Sequence, residues 1–171
     1  MSNGDITVSP MIRQGEIVSE IARDTVGKVG GSWVILTLII KALAPYRQEA
    51  THITRPSGEI EQKLPPREIS PLVRELREVM YRPGTGTWFT LTLTISDAGA
   101  VDAQFNCDDE PEWSRPTEPV FYLQDMERFP RDEAHTPAWL VKQLELGRVQ
   151  DSEYDAKDGP RTRLTPITEK H

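Results

Sequence analysis

Trp88-Phe89-Thr90-Leu91-Thr92-Leu93-Thr94-Ile95-Ser96-Asp97-Ala98-Gly99-Ala100-Val101-Asp102-Ala103-Gln104-Phe105-Asn106 is the stretch that decides the fold. Phe89, Leu91, Leu93 and Ile95 alternate with Trp88, Thr90, Thr92 and Thr94. A period of two puts the apolar set on one face of a strand and the threonines on the other. Ser96-Asp97-Ala98-Gly99 carries turn chemistry, after which Val101, Ala103 and Phe105 alternate with Asp102, Gln104 and Asn106 as a returning strand. The segment reads as an antiparallel hairpin with one buried face.

Upstream, Ile69, Leu72, Val73, Leu76, Val79 and Met80 share one helical stripe, with Arg74, Glu75, Arg77 and Glu78 opposite. Pro65-Pro66 precedes that helix, and Arg82-Pro83-Gly84-Thr85-Gly86 ends it. Earlier still, Ser9-Pro10 provides a hydroxyl and a proline at a helix start, Ile17, Val18, Ile21, Ala22 and Val26 recur at helical spacing, and Gly30-Gly31 closes the helix. Between the two helices, Trp33-Val34-Ile35-Leu36-Thr37-Leu38-Ile39-Ile40 is β-branched and apolar on both faces. It predicts a central strand covered on two sides or nearly so. Residues 46–54 form a weaker, polar strand, and Arg55-Pro56-Ser57-Gly58 turns the chain into a possible strand over 59–64.

Downstream of the hairpin, an acidic, proline-rich segment over 108–119, an ordered loop or a bulged strand, leads through Val120-Phe121-Tyr122-Leu123 into a short helical piece. Thr136-Pro137 then starts a last helix of about three turns, carrying Trp139, Leu140, Gln143, Leu144 and Gly147. The order is helix, strands, helix, hairpin, acidic loop, helix. Grouped strands joined by turns predict the α+β class, an antiparallel sheet of four to five strands with helices packed mainly on one face. A chain of 171 residues accommodates one such domain, expected over 1–150. Residues 151–171 are polar, contain Gly159-Pro160 and have Tyr154 as their one aromatic residue, so they are expected to form a loosely attached or disordered tail.

The formal charge is −7, which disfavours a nucleic-acid partner, because counterion release needs clustered Lys and Arg. The lone cysteine, Cys107, excludes an intramolecular disulfide and a multi-cysteine zinc site. Met1-Ser2-Asn3-Gly4-Asp5 has neither the basic nor the apolar region of a signal peptide, and the apolar run over 33–40 is too short to span a bilayer. These features point to a cytoplasmic protein with no membrane contact. His52, His135 and His171 form no zinc spacing, Gly84-Thr85-Gly86 lacks the rest of a dinucleotide or Walker fingerprint, and no G-x-S-x-G elbow surrounds a serine. No cofactor is expected. Beside Asp108, Asp109 and Glu110, the Cys107 thiol is expected to resist ionisation, so a packed side chain is the better reading than a nucleophile.

What distinguishes the chain is Phe105-Asn106-Cys107-Asp108-Asp109-Glu110-Pro111-Glu112-Trp113. From residue 108 to residue 133, nine carboxylates face three arginines (Arg115, Arg128, Arg131), a net −6 that is nearly the whole charge of the chain. Three readings stand side by side. The cluster is a solvated or structural loop, a protein-binding surface, or a Ca²⁺- or Mg²⁺-dependent or acid–base site without EF-hand spacing. Trp113 fits an interface anchor beside charges that select a cationic partner, and it equally fits a ring that pins the loop to the sheet edge. For Trp33, Trp88 and Trp139, packing is the expectation.

The hairpin over 88–106, the Cys107-to-Trp113 run, Tyr122-Leu123, Phe129-Pro130-Arg131 and Pro137-Ala138-Trp139-Leu140 together resemble the YezG-like group of bacterial immunity proteins. These are antitoxins of polymorphic toxin systems, similar to immunity factors of NAD-hydrolysing necrotizing toxins. The resemblance spans about residues 88–140 and implies a non-enzymatic inhibitor. Such a protein binds a cognate toxin domain one-to-one and occludes its active site, with a NAD glycohydrolase or a nuclease as the candidate toxin. Asp108, Asp109, Glu110, Glu112 and Trp113 are the candidate contact residues. The alternative is a small metal- or ligand-binding enzyme that uses the acidic cluster.

Overall fold

The computed structural model describes residues 8–168; the Met1-to-Asp5 start and His171 lie outside them. The chain runs α1 (Pro10–Gly27), β1 (Ile35–Leu43), β2 (Tyr46–Thr54), β3 (Ile60–Lys63), α2 (Ser70–Met80), β4 (Thr90–Ser96), β5 (Val101–Asn106), α3 (Pro119–Arg128) and α4 (Ala138–Asp158). The five strands form one antiparallel sheet in the order β3-β2-β1-β4-β5. This is the α+β architecture expected from the hairpin outward, with helices before, between and after the strands.

The period-two pattern determines which face closes. Leu36, Leu38, Ile40 and Ala42 of β1, Ile53 of β2 and Leu91, Leu93 and Ile95 of β4 share one face. Ile17 and Ile21 of α1 and Val73 and Leu76 of α2 cover it, giving the main core. Each of these fully buried aliphatic side chains contributes about 1.5–3 kcal/mol relative to solvent exposure.

A second, smaller core closes the end of the sheet where β1 finishes and β4 begins. Leu43 and Phe89 meet Tyr122 of α3 and Leu140 and Leu144 of α4, with Trp113, Phe121 and Trp139 around them. The two helices approach closely because Gly147 faces the first turn of α3. A Cβ there would lie 2.7 Å from the carbonyl oxygen of Pro119.

Several expectations are corrected. β1 is central, but its second side is covered only at the end: α1 and α2 both lie over Leu36, Leu38 and Ile40, whereas on the other face Leu43 is buried under α3 and α4 and Ile35 is 39% exposed. The alternation breaks at the start of β4, where Trp88 joins the main core and Phe89 the second one. The Phe89 N–H donates to the Asn106 carbonyl while Thr90 is the register partner of Asn106, so two residues oppose one and the strand bulges. Neither hydroxyl-then-proline start uses its hydroxyl as a cap: Ser9 offers only its carbonyl, to Arg13 N–H, and the Thr136 hydroxyl donates to the Asp132 carbonyl.

The last helix is the largest difference. α4 runs to Asp158, and its buried stripe is Leu140, Leu144, Gly147 and Asp151, so past Leu144 it is held by a close approach and by charge. Beyond it, Arg161 donates to Asp151 and to Glu127 of α3, Leu164 N–H donates to Glu127, and Ile167 N–H donates to the Arg128 carbonyl. Residues 159–168 are thus strapped across α3, where a loosely attached tail was expected. Polar anchoring has no hydrophobic period to betray it.

Candidate partner-binding surface

The register places Gln48 of β2, Lys41 of β1, Thr90 of β4 and Asn106 of β5 in one row across the sheet, on the face opposite the main core. Three of these side chains hold the acidic loop by its backbone. Asn106 Oδ1 accepts from the N–H groups of Asp108 and Asp109 at 3.1 and 2.9 Å. The Lys41 ammonium donates to the Glu112 carbonyl. Gln48 accepts from Ser114 N–H at 2.7 Å and donates to the Arg115 carbonyl at 2.9 Å. The loop is therefore laid along the end of the sheet as a wall, with its backbone satisfied from below and its carboxylates left outside.

The other side of the loop is fixed by three residues whose role sequence reading missed. Arg131, whose side chain is 3% exposed, donates to the carbonyls of Thr87 (2.8 Å) and Cys107 (2.7 Å), and its guanidinium lies 4.7 Å from the Phe89 ring centroid. Burial pulls this guanidinium below its ordinary value while Asp108 and Asp125 oppose the shift. Trp139 Nε1–H donates to the Asp108 carbonyl at 2.7 Å, and Gln143 donates to the Glu110 carboxylate at 3.1 Å. The Phe-Pro-Arg and Pro-Ala-Trp-Leu segments that carried the family resemblance thus converge beneath the acidic run.

Trp113 turns inward. Its Nε1–H donates to Tyr122 Oη at 2.7 Å, and its ring lies 5.7 Å from that of Tyr46 in a tilted contact. Half-buried in the second core, it pins the loop, so of the two readings of this residue the packing one describes its observed contacts. The four carboxylates face outward: Asp108, Asp109, Glu110 and Glu112 are all exposed, Asp108 to 79%.

The nine carboxylates between residues 108 and 133 do not form one face. Asp125 is buried against Arg77, Glu127 is held by Arg161 and Arg163, and Asp132 accepts from His135 N–H at the turn before α4. Glu118 accepts from Tyr154. Among the described residues, the side chains of Asp109 and Glu112 have no hydrogen-bond or ion-pair partner, and Asp108 has only Arg131 at 3.6 Å. The outward charge is concentrated in the run 108–112.

Cys107 is half-buried and unpaired. Burial first, and Asp108 second, push its thiol above the usual range, so like charge acts but is not the main cause. Among the described residues no three His, Cys, Asp or Glu side chains cluster to hold a metal ion, and no helix is long and apolar enough to cross a membrane. His52 sits on the open sheet face and His135 pairs with Asp132 at 2.6 Å. Fold and site define an α+β domain that displays a rigid acidic loop. No protein-family model matches this chain, and no curated protein matches it.

Proposed function

We propose that the chain is an immunity protein of the YezG-like kind, a non-enzymatic inhibitor that neutralises a cognate toxin domain by forming a 1:1 complex in the cytoplasm. The observation that carries this reading is the row Gln48, Lys41 and Asn106, which holds the backbone of residues 108–115 while leaving the carboxylates of Asp109 and Glu112 without a partner among the described residues and that of Asp108 with Arg131 at 3.6 Å. Exposed, pre-positioned carboxylates speed encounter with a basic surface and select it over others, and a backbone already held in place loses little entropy on binding. A cleft that holds the phosphates of NAD or of a nucleic acid is basic, so an acidic wall complements a NAD glycohydrolase or a nuclease. Asp108, Asp109, Glu110 and Glu112 make the contact, and Trp113 acts by holding the loop.

The test is first the gene neighbourhood, where the reading predicts a large secreted protein with a toxic C-terminal domain, and then co-expression with that domain. The wild type protects the cell, and the double variant Asp109→Lys, Glu112→Lys fails to protect while retaining its thermal midpoint. Full protection by the charge-reversed variant removes the loop from the contact, and absence of protection by the wild type removes the immunity reading.

A further inference from the structure

Past its Leu43–Tyr46 end, where α3 and α4 pack, the sheet face opposite the main core carries no helix among the described residues. Beyond the row that holds the loop, the next two rows are Ala50, Ile39, Thr92, Gln104 and then Gln62, His52, Thr37, Thr94, Asp102. Of the described helices, α1 and α2 lie on the other face and α3 and α4 close the end. A solvated sheet face is expected to carry long charged side chains. Charged residues make up 27% of this chain, yet these two rows hold one carboxylate, Asp102, and no Lys or Arg.

Threonine, isoleucine and alanine make a flat surface of short or stiff side chains that lose little rotamer freedom when covered. Depletion of charge at the centre with charge at the rim is the composition of an interface core. Here the rim is the acidic wall, and the one cation in the adjoining row, Lys41, is engaged by the Glu112 carbonyl. Five strands about 4.8 Å apart make the face about 19 Å wide, and the residues from Ile35 to Ile39 make it about 14 Å long. A flat patch of that size falls short of the roughly 800 Å² that a stable interface takes from each partner. The face needs its wall to reach that area, and the wall's carboxylates determine what is bound.

We propose that the uncovered sheet face around Thr37, Ile39, Thr92 and Thr94 is the docking floor for the toxin domain, whose basic rim meets the wall at residues 108–112. The proposal rests on the immunity reading and adds the surface through which it works. The occupant is a folded basic domain. A nucleic acid is repelled by the wall.

The test titrates wild-type protein, and the double variant Thr37→Arg, Thr92→Arg, with the neighbouring toxin domain made inactive by substitution of its own catalytic residue. It is paired with methyl NMR of wild-type Ile39 and Ile12, free and bound, which requires no variant to fold. The floor predicts that Kd rises by at least about 100-fold in the arginine variant and that the Ile39 methyl signals shift on binding while Ile12 does not. Unchanged Kd with an unperturbed Ile39, while Asp109→Lys, Glu112→Lys still weakens binding, overturns the floor and leaves immunity through the loop alone. No binding by the wild type overturns both. A wild-type dimer that the arginine variant converts to monomer, with toxin affinity unchanged, assigns the face to a second copy of the chain and also overturns the floor.

Discussion

The guanidinium of Arg77, on α2, forks onto the carboxylate of Asp125, on α3, at 2.7 and 3.2 Å, with both side chains buried. The pair joins the two cores. Arg77 Nε–H also donates to the Trp88 carbonyl at the entry to β4, and Asp125 accepts from Ala44 N–H in the turn between β1 and β2. The Phe129 ring lies under the guanidinium at 4.6 Å. Four parts of the chain are thereby fixed at one point, and that point holds the C-terminal half of α3 against the sheet.

Removing one partner leaves the other charged and buried, so Arg77→Met is expected to cost about 3–5 kcal/mol. Because a buried pair can be replaced by apolar groups of similar volume at little cost, Arg77→Met, Asp125→Leu recovers part of that loss. Urea midpoints of the two single variants and the double variant measure it. A double variant less stable than either single one contradicts the argument.

Tyr122 supplies a pH-dependence at the alkaline end. Burial raises its hydroxyl from the ordinary 10 to about 12, against the smaller opposing effect of the Trp113 hydrogen bond. The fold favours the protonated hydroxyl, so this contribution is complete below pH 10 and is lost as pH rises from 10 toward 12. The loss is on the order of 2 kcal/mol. Tyr122→Phe removes this part of the slope. Thermal midpoints between pH 9 and 12 that fall equally in both proteins rule it out.

Gly147→Ala is expected to destabilise, because the new Cβ would lie 2.7 Å from the Pro119 carbonyl oxygen, a backbone atom that cannot swing away. The cost is about 1–3 kcal/mol by overpacking, against a gain of less than about 1 kcal/mol in helix propensity. Circular dichroism during thermal unfolding checks the sign.

Arg161→Ala is expected to release the strap over 159–168. Arg161 reaches Asp151 at 2.7 Å and Glu127 at 2.6 Å, both largely buried. Burial works against the Glu127 charge, but Arg161 and the Leu164 N–H prevail and hold its carboxyl below the ordinary 4.5. A lowered carboxyl contributes above its unfolded value and is lost as pH falls below about 4.5. Proteolysis after residue 158 therefore accelerates in the variant at pH 7 and in the wild type on acidification. Equal cleavage of both at pH 7 contradicts the strap.

The sheet was legible because alternation over 91–95 is a direct image of burial, and α2 because its apolar stripe is. What escaped is polar. α4 and the strap continue on Gly147, Asp151 and Arg161, whose roles exist only once Pro119 and Glu127 are in place. The candidate loop was legible as composition, since a run of four carboxylates beside Trp113 stands out in any chain. Its support was not, because Lys41, Gln48 and Asn106 lie as much as 65 positions apart in sequence and become neighbours through strand register. Counting charge over 108–133 also overstated the face, since Asp125 and Glu127 are matched by Arg77 and Arg161 from outside that span.

Under the proposed immunity function, the same row separates two ways in which the loop would serve binding. Gln48→Ala and Asn106→Ala remove the contacts that hold Asp108, Asp109 and Ser114 while leaving every carboxylate in place. The freed loop must be ordered at the moment of binding, which costs about 1–2 kcal/mol for each backbone unit fixed. Affinity then falls through faster dissociation, and its salt dependence stays that of the wild type. Asp109→Asn, Glu112→Gln does the opposite: the backbone remains held, the attraction that steers encounter weakens, and association slows with a flatter dependence on ionic strength. Stopped-flow association and dissociation rates with the proposed partner domain, at about 50 and 500 mM salt to span a wide range of screening, resolve the two. If the support variants change the salt dependence as much as the charge variants do, the row tunes the field of the loop and its rigidity is not what matters.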